Sequence, residues 1–208
     1  MPDSFTVFLN ALLTSSYWEY TAVLLGFMYV VLAVRESLWC WYAGFVSSIM
    51  YAAMYWHGNI LVEAILNLYY MLMAVIGWWV WRQGTNNSPL PIISWPVRIH
   101  LFIIILTSLF AISLSTLIQE LSNDISLSYI ESFTLCFAVV ITYLVVRKVL
   151  ENWLYWIVIN MAPMYLYFMK GYYPTLALAL LLTLISCVGY KRWYERYELK
   201  QGKTLAEL

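Results

Sequence analysis

The chain has 208 residues, of which 63% are hydrophobic and 11% are charged, and its formal net charge is zero. A single water-soluble core of this size could not hide so much apolar surface, which excludes a soluble globular protein and predicts an integral membrane protein. The balanced charge excludes a polybasic nucleic-acid-binding protein. The three cysteines lie in separate apolar stretches without metal or redox spacing, so we expect them to pack and expect no metal or cofactor.

Residues 1–17 form an N-terminal segment ahead of the first long apolar stretch. Apolar residues at helical spacing within 3–14 predict a short helix in the membrane interface, with a frayed terminus as the alternative. No basic residue precedes the short apolar run, so the segment does not resemble a cleavable signal peptide. We therefore expect the first span to act as its own insertion signal.

Seven stretches long enough to cross a bilayer follow in chain order. About 20 apolar residues are needed to cross a hydrocarbon core of ~30 Å. Divided at charged residues and turn signals, the sequence predicts spans at 18–34, 38–56, 60–82, 99–118, 127–146, 149–168 and 172–190. The predicted fold is an all-α membrane protein with seven transmembrane helices, and the charged tail 191–208 should continue the last helix beyond the bilayer.

An internal repeat organises these spans. A shift of 112 positions places residues 17–82 on residues 129–194 and matches residue types that hydropathy alone does not dictate. The matching pairs are Glu19 and Glu131, Arg35 and Arg147, Trp41 and Trp153, Tyr55 and Tyr167, Gly77 and Gly189, and Trp81 and Trp193. Because three spans reverse the chain direction and a fourth restores it, we expect two parallel three-helix repeats, 18–82 and 127–190, joined by a linker helix within 83–126. We call this the 3+1+3 arrangement.

The distribution of basic residues predicts the orientation in the membrane. Cytoplasmic loops carry an excess of Lys and Arg. One side of the predicted topology holds ten of them and the other side holds Lys170 alone. The ten are Arg35, Arg82, Arg98, Arg147, Lys148, Lys191, Arg192, Arg196, Lys200 and Lys203. We therefore expect a cytoplasmic C-terminus and an external N-terminus.

Polar and aromatic residues at membrane depth mark a candidate pathway, because polar side chains in lipid are costly and usually face a cavity. Several of them recur on one face of the second, third and sixth predicted spans. The candidate substrate-binding residues are Trp153, Trp156, Asn160, Asn67, Trp41, Ser48, Tyr51, Tyr70 and Tyr167. The alternatives are interfacial anchoring for Trp41 and Trp153, and a helix–helix hydrogen bond for Asn160.

The two copies of the repeat differ at three of these positions. Gly44 corresponds to Trp156, Ser48 to Asn160, and Asn67 to Ala179. One extra aromatic ring and one extra amide on a single side suit an asymmetric ligand with an aromatic ring and a polar part. We expect one central site between the second, third, sixth and seventh spans, with access that alternates as the two triplets rock. Glu19, Glu63 and Glu131 lie near the outer ends of spans and receive no role.

The sixth predicted span, RKVLENWLYWIVINMAPMYLYFMKG, combines Trp153, Trp156 and Asn160 with a tyrosine-containing exit. Both repeats end in Gly-x-x-x-Trp. From Tyr17 to Trp193 the chain resembles the nicotinamide riboside transporter (PnuC) family, and its arrangement is similar to that of the SWEET sugar facilitators. The resemblance implies a homotrimer in a bacterial inner membrane, one pathway per protomer, and facilitated diffusion of an NAD precursor that cytoplasmic phosphorylation traps.

The residues are compatible with that substrate. Nicotinamide riboside carries a cationic ring that tryptophan faces can hold, and a ribose that Asn and Ser side chains can hydrogen-bond. No Lys or Arg lies deep in a predicted span, which argues against a phosphorylated substrate. The expected partners are therefore this small molecule, the lipid bilayer and other copies of the chain, and no nucleic acid.

Three other functions stay open at this point. Relatives that resemble the family handle thiamine or riboflavin, and thiamine is also a cationic aromatic molecule. Proton-coupled transport is a second alternative. A membrane-embedded enzyme is the third, and it is disfavoured because His57 and His100 are expected to be isolated at span boundaries, away from any carboxylate.

Overall fold

The computed structural model describes residues 17–83, 90–121, 129–161, 164, 168 and 173–206. Seven helices occupy these residues, one for each predicted span, and the all-α prediction is confirmed for this part of the chain. They are α1 Tyr17–Val34, α2 Trp39–His57, α3 Leu61–Gln83, α4 Val97–Leu121, α5 Tyr129–Val146, α6 Asn152–Met161 and α7 Tyr173–Ala206.

Five of the described helices are long and apolar enough to cross a membrane: α1, α3, α4, α5 and α7. The other two fall short for different reasons. Three tryptophans, three tyrosines and two serines lower the hydropathy of α2, and the continuous described part of α6 is only ten residues long. The helix α7 continues beyond the bilayer-length segment as predicted. The predicted interfacial helix at 3–14 and Tyr167 lie outside the described residues.

Six helices form a closed ring around the centre of the molecule. In order around the ring they are α1, α2, α3, α5, α6 and α7, and α7 packs back against α1. The helix α4 packs against α5, and its outward face is apolar and exposed. A short segment before α4 is attached at one end of the ring, where Ile93 donates its N–H to Lys148 O and accepts from Leu150 N–H. The predicted start of the sixth span at 149 was therefore too early, because these residues form a turn paired with Ile93.

Helices α1 and α5 end in the same backbone motif, 112 residues apart. Glu36 and Lys148 have φ angles of 55° and 51°, the left-handed conformation that usually favours glycine. The N–H of the next residue bonds back to the last turn in both cases, from Ser37 to Leu32 O at 3.0 Å and from Val149 to Leu144 O at 2.9 Å. Such a bond, from an N–H to the carbonyl five residues earlier, is typical of a Schellman cap. Both helices therefore end with the same cap at the same end of the helix ring.

Two tryptophans pack directly on glycines of the following helix in the same triplet. A Cβ atom at Gly77 would lie 2.4 Å from the Trp41 ring, and one at Gly189 would lie 2.7 Å from the Trp153 ring. Both tryptophans are almost fully buried, at 2% and 1% exposure. Both glycines are therefore required so that the helices can approach closely enough for the rings to fit.

Four tryptophan side chains meet at this end of the helix ring. We call them the tryptophan cluster: Trp41, Trp81, Trp153 and Trp193. Trp41 stands edge-on to Trp81 with ring centres 5.1 Å apart, and Trp153 stands edge-on to Trp193 at 5.4 Å. Trp81 and Trp193 lie 6.3 Å apart and connect the two pairs. Such edge-to-face geometry is favourable for aromatic rings, and the cluster forms the buried centre of this end.

Candidate functional site

A cavity of about 360 Å³, which we call cavity A, lies inside the ring between α1, α2 and α3. It runs from Trp41 near the tryptophan cluster to Glu63 in the first turn of α3, with Thr142 and Trp156 contributed by α5 and α6. The other lining residues are Gly26, Tyr29, Val30, Gly44, Ser47, Ser48, Tyr51, Tyr55, Leu66, Asn67, Tyr70 and Ala74.

The helical period explains which face of α2 lines cavity A. Trp41, Gly44, Ser48, Tyr51 and Tyr55 follow at intervals of three or four residues and therefore share one face. Tyr51 and Tyr55 stack on each other with ring centres 5.7 Å apart. An aromatic wall therefore extends along the length of the cavity.

The polar groups of cavity A differ in whether they already have hydrogen-bond partners within the protein. Ser47 donates to Ala22 O at 2.9 Å, which ties α2 to α1, and Asn67 donates to Glu63 O at 2.8 Å within its own helix. The buried Trp41 Nε1 has no hydrogen-bond partner among the described residues. Trp41 Nε1 is therefore an unsatisfied donor in the lining of cavity A.

A second cavity of about 590 Å³, cavity B, lies on the other side of Tyr51 and Trp156, between α1, α6 and α7. Both cavities share Gly26, Val30, Tyr51 and Trp156, which separate them. Asn160 lines cavity B, and its side-chain nitrogen is buried without a hydrogen-bond partner among the described residues. An unsatisfied buried amide is costly, so a ligand that accepts a hydrogen bond there would remove this cost.

The structure divides the predicted site residues among three places. Cavity A receives Trp41, Ser48, Tyr51, Asn67, Tyr70 and Trp156. Cavity B receives Asn160 and shares Tyr51 and Trp156. Trp153 lines neither cavity, because it is packed on Gly189 in the tryptophan cluster. The described residues that were expected at one site between four helices thus line two adjoining cavities, apart from Trp153.

Helix α1 is the part of the lining that the sequence analysis missed. Gly26, Tyr29 and Val30 face the cavities at helical spacing, and Tyr29 occupies the space that Gly44 leaves open. A Cβ atom at Gly44 would lie only 2.9 Å from Tyr29 Cδ2. Tyr29 in the first triplet therefore supplies an aromatic ring beside Gly44, where the second triplet has Trp156.

The expectation that His100 is isolated was also wrong. His100 Nδ1 lies 3.0 Å from the Tyr155 hydroxyl, and Nε2 lies 3.5 Å from a carboxylate oxygen of Glu151. Glu151 also accepts hydrogen bonds from the Ser94 hydroxyl and the Trp95 N–H. None of these residues lines cavity A or B, and they attach α4 and the preceding segment to α6. Within the described residues, no group of three potential metal ligands is present.

The family model for the nicotinamide mononucleotide transporter matches residues 16–195, which is most of the chain. The chain belongs to this family. Curated relatives include the nicotinamide riboside transporter PnuC of Escherichia coli, 22% identical over 92% of this chain and 90% of the relative. The riboflavin/roseoflavin transporter RibM of Streptomyces davaonensis is 25% identical over 72% of this chain and 71% of its own length.

A solved structure gives the same result for the fold. The crystal structure of the vitamin B3 transporter PnuC is similar with a TM-score of 0.71, covering 94% of this chain and 87% of that one at 20% identity. The two chains therefore share the same overall fold. The chain is a multi-pass membrane protein of this transporter family.

Proposed function

We propose that the chain takes up nicotinamide riboside across a bacterial inner membrane by facilitated diffusion, without catalysis. The curated relative that matches nearly the whole chain carries this activity in its name. The observation that carries the assignment is the described lining of cavity A, which has six aromatic side chains and one charged side chain, the acidic Glu63. This lining suits a flat, cationic, hydrogen-bonding molecule.

The chemistry of the two cavities supports a riboside over a phosphorylated nucleotide. A cationic ring over an aromatic face gains ~0.5–2 kcal/mol. Ser48, Asn67 and Asn160 supply partners for ribose hydroxyls and the carboxamide. The family description names the mononucleotide, but no Lys or Arg is present among the described residues that line cavity A or B. A phosphate would lack the cation that usually binds it and would face Glu63.

The 3+1+3 arrangement gives this proposal a mechanism. The contacts between helices support this arrangement. The two triplets meet at two interfaces, α3 against α5 and α7 against α1, and the 112-residue shift makes these interfaces equivalent. We infer that the triplets rock around the cavities and expose them alternately to each side. In this account the C-terminus is cytoplasmic, the protein is a homotrimer, and cytoplasmic phosphorylation retains the substrate.

Riboflavin is the second candidate substrate, because a riboflavin transporter is among the relatives. Riboflavin has a larger and uncharged ring system, so it gains less from cation–π contacts with the aromatic lining and from the charge of Glu63. Thiamine shares the cationic ring but lacks the ribose that the polar groups would bind.

Tryptophan fluorescence of the purified protein, titrated with four ligands, tests the substrate assignment. We expect nicotinamide riboside to quench at the lowest concentration, with thiamine and riboflavin weaker and nicotinamide mononucleotide weakest, because Trp41 and Trp156 line the cavity and none of its described lining residues is Lys or Arg. Equal affinity for the mononucleotide and the riboside would contradict the proposed site. Tighter binding of riboflavin or thiamine would reverse the substrate assignment and leave the location of the site intact.

A further inference from the structure

Charged side chains cover the end of the ring that holds the tryptophan cluster. One carboxylate oxygen of Glu36 accepts a hydrogen bond from Lys148 Nζ at 2.7 Å, and the other accepts one from the Arg196 guanidinium. Lys148 Nζ also lies 4.5 Å from the centre of the Trp81 ring. We call Glu36, Lys148 and Arg196 the charged cluster.

The charged cluster joins the two triplets of helices. Glu36 follows α1 in the first triplet, whereas Lys148 follows α5 and Arg196 lies on α7 in the second. Glu36 and Lys148 occupy the same position of the 112-residue repeat, so the two copies have acquired opposite charges where they meet. A pair of identical charged residues at this position would repel.

Two indole hydrogen bonds join the triplets just beneath the charges. Trp81 Nε1 donates to Val146 O of α5 at 3.0 Å, and Trp193 Nε1 donates to Ala33 O of α1 at 3.3 Å. The first bond crosses the interface between α3 and α5, and the second crosses the interface between α7 and α1. Any separation of the triplets at this end breaks both bonds together with the ion pairs.

Burial makes the charged cluster suited to reversible closure. Lys148 is 3% exposed, and burial lowers the pKa of its ammonium group while the Glu36 carboxylate acts in the opposite direction. Desolvation of a buried ion pair offsets much of its attraction, so water can replace the pair at small net cost when the triplets part. Removal of one partner has a different effect, because it leaves a charge buried without compensation.

We propose that the charged cluster is the gate that closes cavity A at this end and that it opens when the triplets separate. Trp41 lines cavity A and packs on Trp81, whose ring centre lies 4.5 Å from Lys148 Nζ, so the tryptophan cluster lies between the end of the cavity and the charged cluster. The proposal rests on the transport function proposed above and assigns its gate residues.

Cys40 provides a native reporter for this gate. It is fully buried beside Trp41, and its N–H bonds to Ser37 O at 3.0 Å in the turn that carries Glu36. In a variant with Cys136→Ala and Cys187→Ser, a charged methanethiosulfonate reagent applied to inside-out vesicles would label Cys40 alone. We expect Glu36→Gln to accelerate this labelling about tenfold or more, because it strands Lys148 in the closed state.

A second variant and a control make the test specific. Glu36→Gln combined with Lys148→Met removes both buried charges, so we expect labelling to return towards the parent rate. Arg147→Gln removes one exposed charge next to Lys148 and should change nothing. If the Glu36→Gln protein does not accumulate in the membrane, Lys148→Glu can replace it. That substitution places two carboxylates next to each other, so it should also accelerate the labelling of Cys40.

The result distinguishes the gate from the substrate assignment, because labelling is measured without substrate. Unchanged Cys40 labelling in Glu36→Gln or Lys148→Glu, with normal riboside binding, would overturn the gate alone. Accelerated labelling in a protein that does not bind nicotinamide riboside would support the gate and overturn the proposed substrate. Equal acceleration in Arg147→Gln would show a general effect of surface charge and would also overturn the gate.

Discussion

Trp156→Ala is expected to weaken nicotinamide riboside binding about tenfold or more, because it removes an aromatic face shared by both cavities. The substitution also merges the two cavities, so a bound ring would lose its close contact on this side. Isothermal titration of the purified variant in detergent measures the change. Trp79→Ala is the matched control, because Trp79 is 55% exposed on α3 and lines neither cavity.

Asn160→Ala separates the contribution of cavity B in the same experiment. We expect it to weaken binding more than Ser48→Ala, because the Asn160 nitrogen is buried without a partner among the described residues. Gly44→Ala is unsuitable as the matching change in the first triplet, since its Cβ would displace Tyr29. Unchanged affinity in both Trp156→Ala and Asn160→Ala would place the substrate elsewhere.

Gly77→Ala is expected to destabilise the protein by about 3 kcal/mol, at the upper end of the usual cost of overpacking. The new Cβ would lie 2.4 Å from a Trp41 ring that is 2% exposed and packed against Trp81. The ring cannot move aside without disrupting the tryptophan cluster. Thermal denaturation followed by fluorescence-detected size exclusion measures the loss.

Gly202→Ala is the control for this substitution, because no atom lies within 4 Å of a Cβ at that position. It should leave the denaturation temperature unchanged or raise it slightly, since alanine favours a helix over glycine. Gly189→Ala should behave like Gly77→Ala, as its Cβ would lie 2.7 Å from Trp153. A denaturation temperature for Gly77→Ala equal to that of Gly202→Ala would contradict the close packing described here.

Hydropathy and helical period predicted the helices well. The predicted spans 18–34 and 60–82 differ from α1 and α3 by at most one residue at either end. The sixth span was harder, because the apolar Val149 and Leu150 look like its first turn but belong to a turn bonded to Ile93. Such pairing between distant loops leaves no periodic signal in the sequence.

The helical period also placed one wall of the site. Ser48 and Tyr51 on α2 and Asn67 and Tyr70 on α3 line cavity A as their spacing predicted. The same reasoning failed for Trp153, which shares a helix face with Trp156 yet packs against Gly189. The available signal was that a tryptophan occupies this position in both repeats. A residue needed for packing in both copies belongs to the common scaffold.

The contribution of α1 could not be predicted from polarity. Gly26, Tyr29 and Val30 carry no amide or charge, and their role follows from the space that Gly44 leaves on the neighbouring helix. The charged cluster was equally hidden, because Glu36 and Lys148 look like ordinary loop charges until the ring brings the two turns together. Residues that complement each other across helices are visible only once the helices are packed.

Uptake of radiolabelled nicotinamide riboside into proteoliposomes tests the transport function most directly. We expect uptake to stop when internal and external concentrations are equal, to be unaffected by an imposed pH gradient, and to be blocked by excess unlabelled riboside but not by the mononucleotide. The result follows from an aromatic cavity without Lys or Arg among its described lining residues. No uptake above that of protein-free liposomes, or accumulation driven by the pH gradient, would contradict facilitated transport of this substrate.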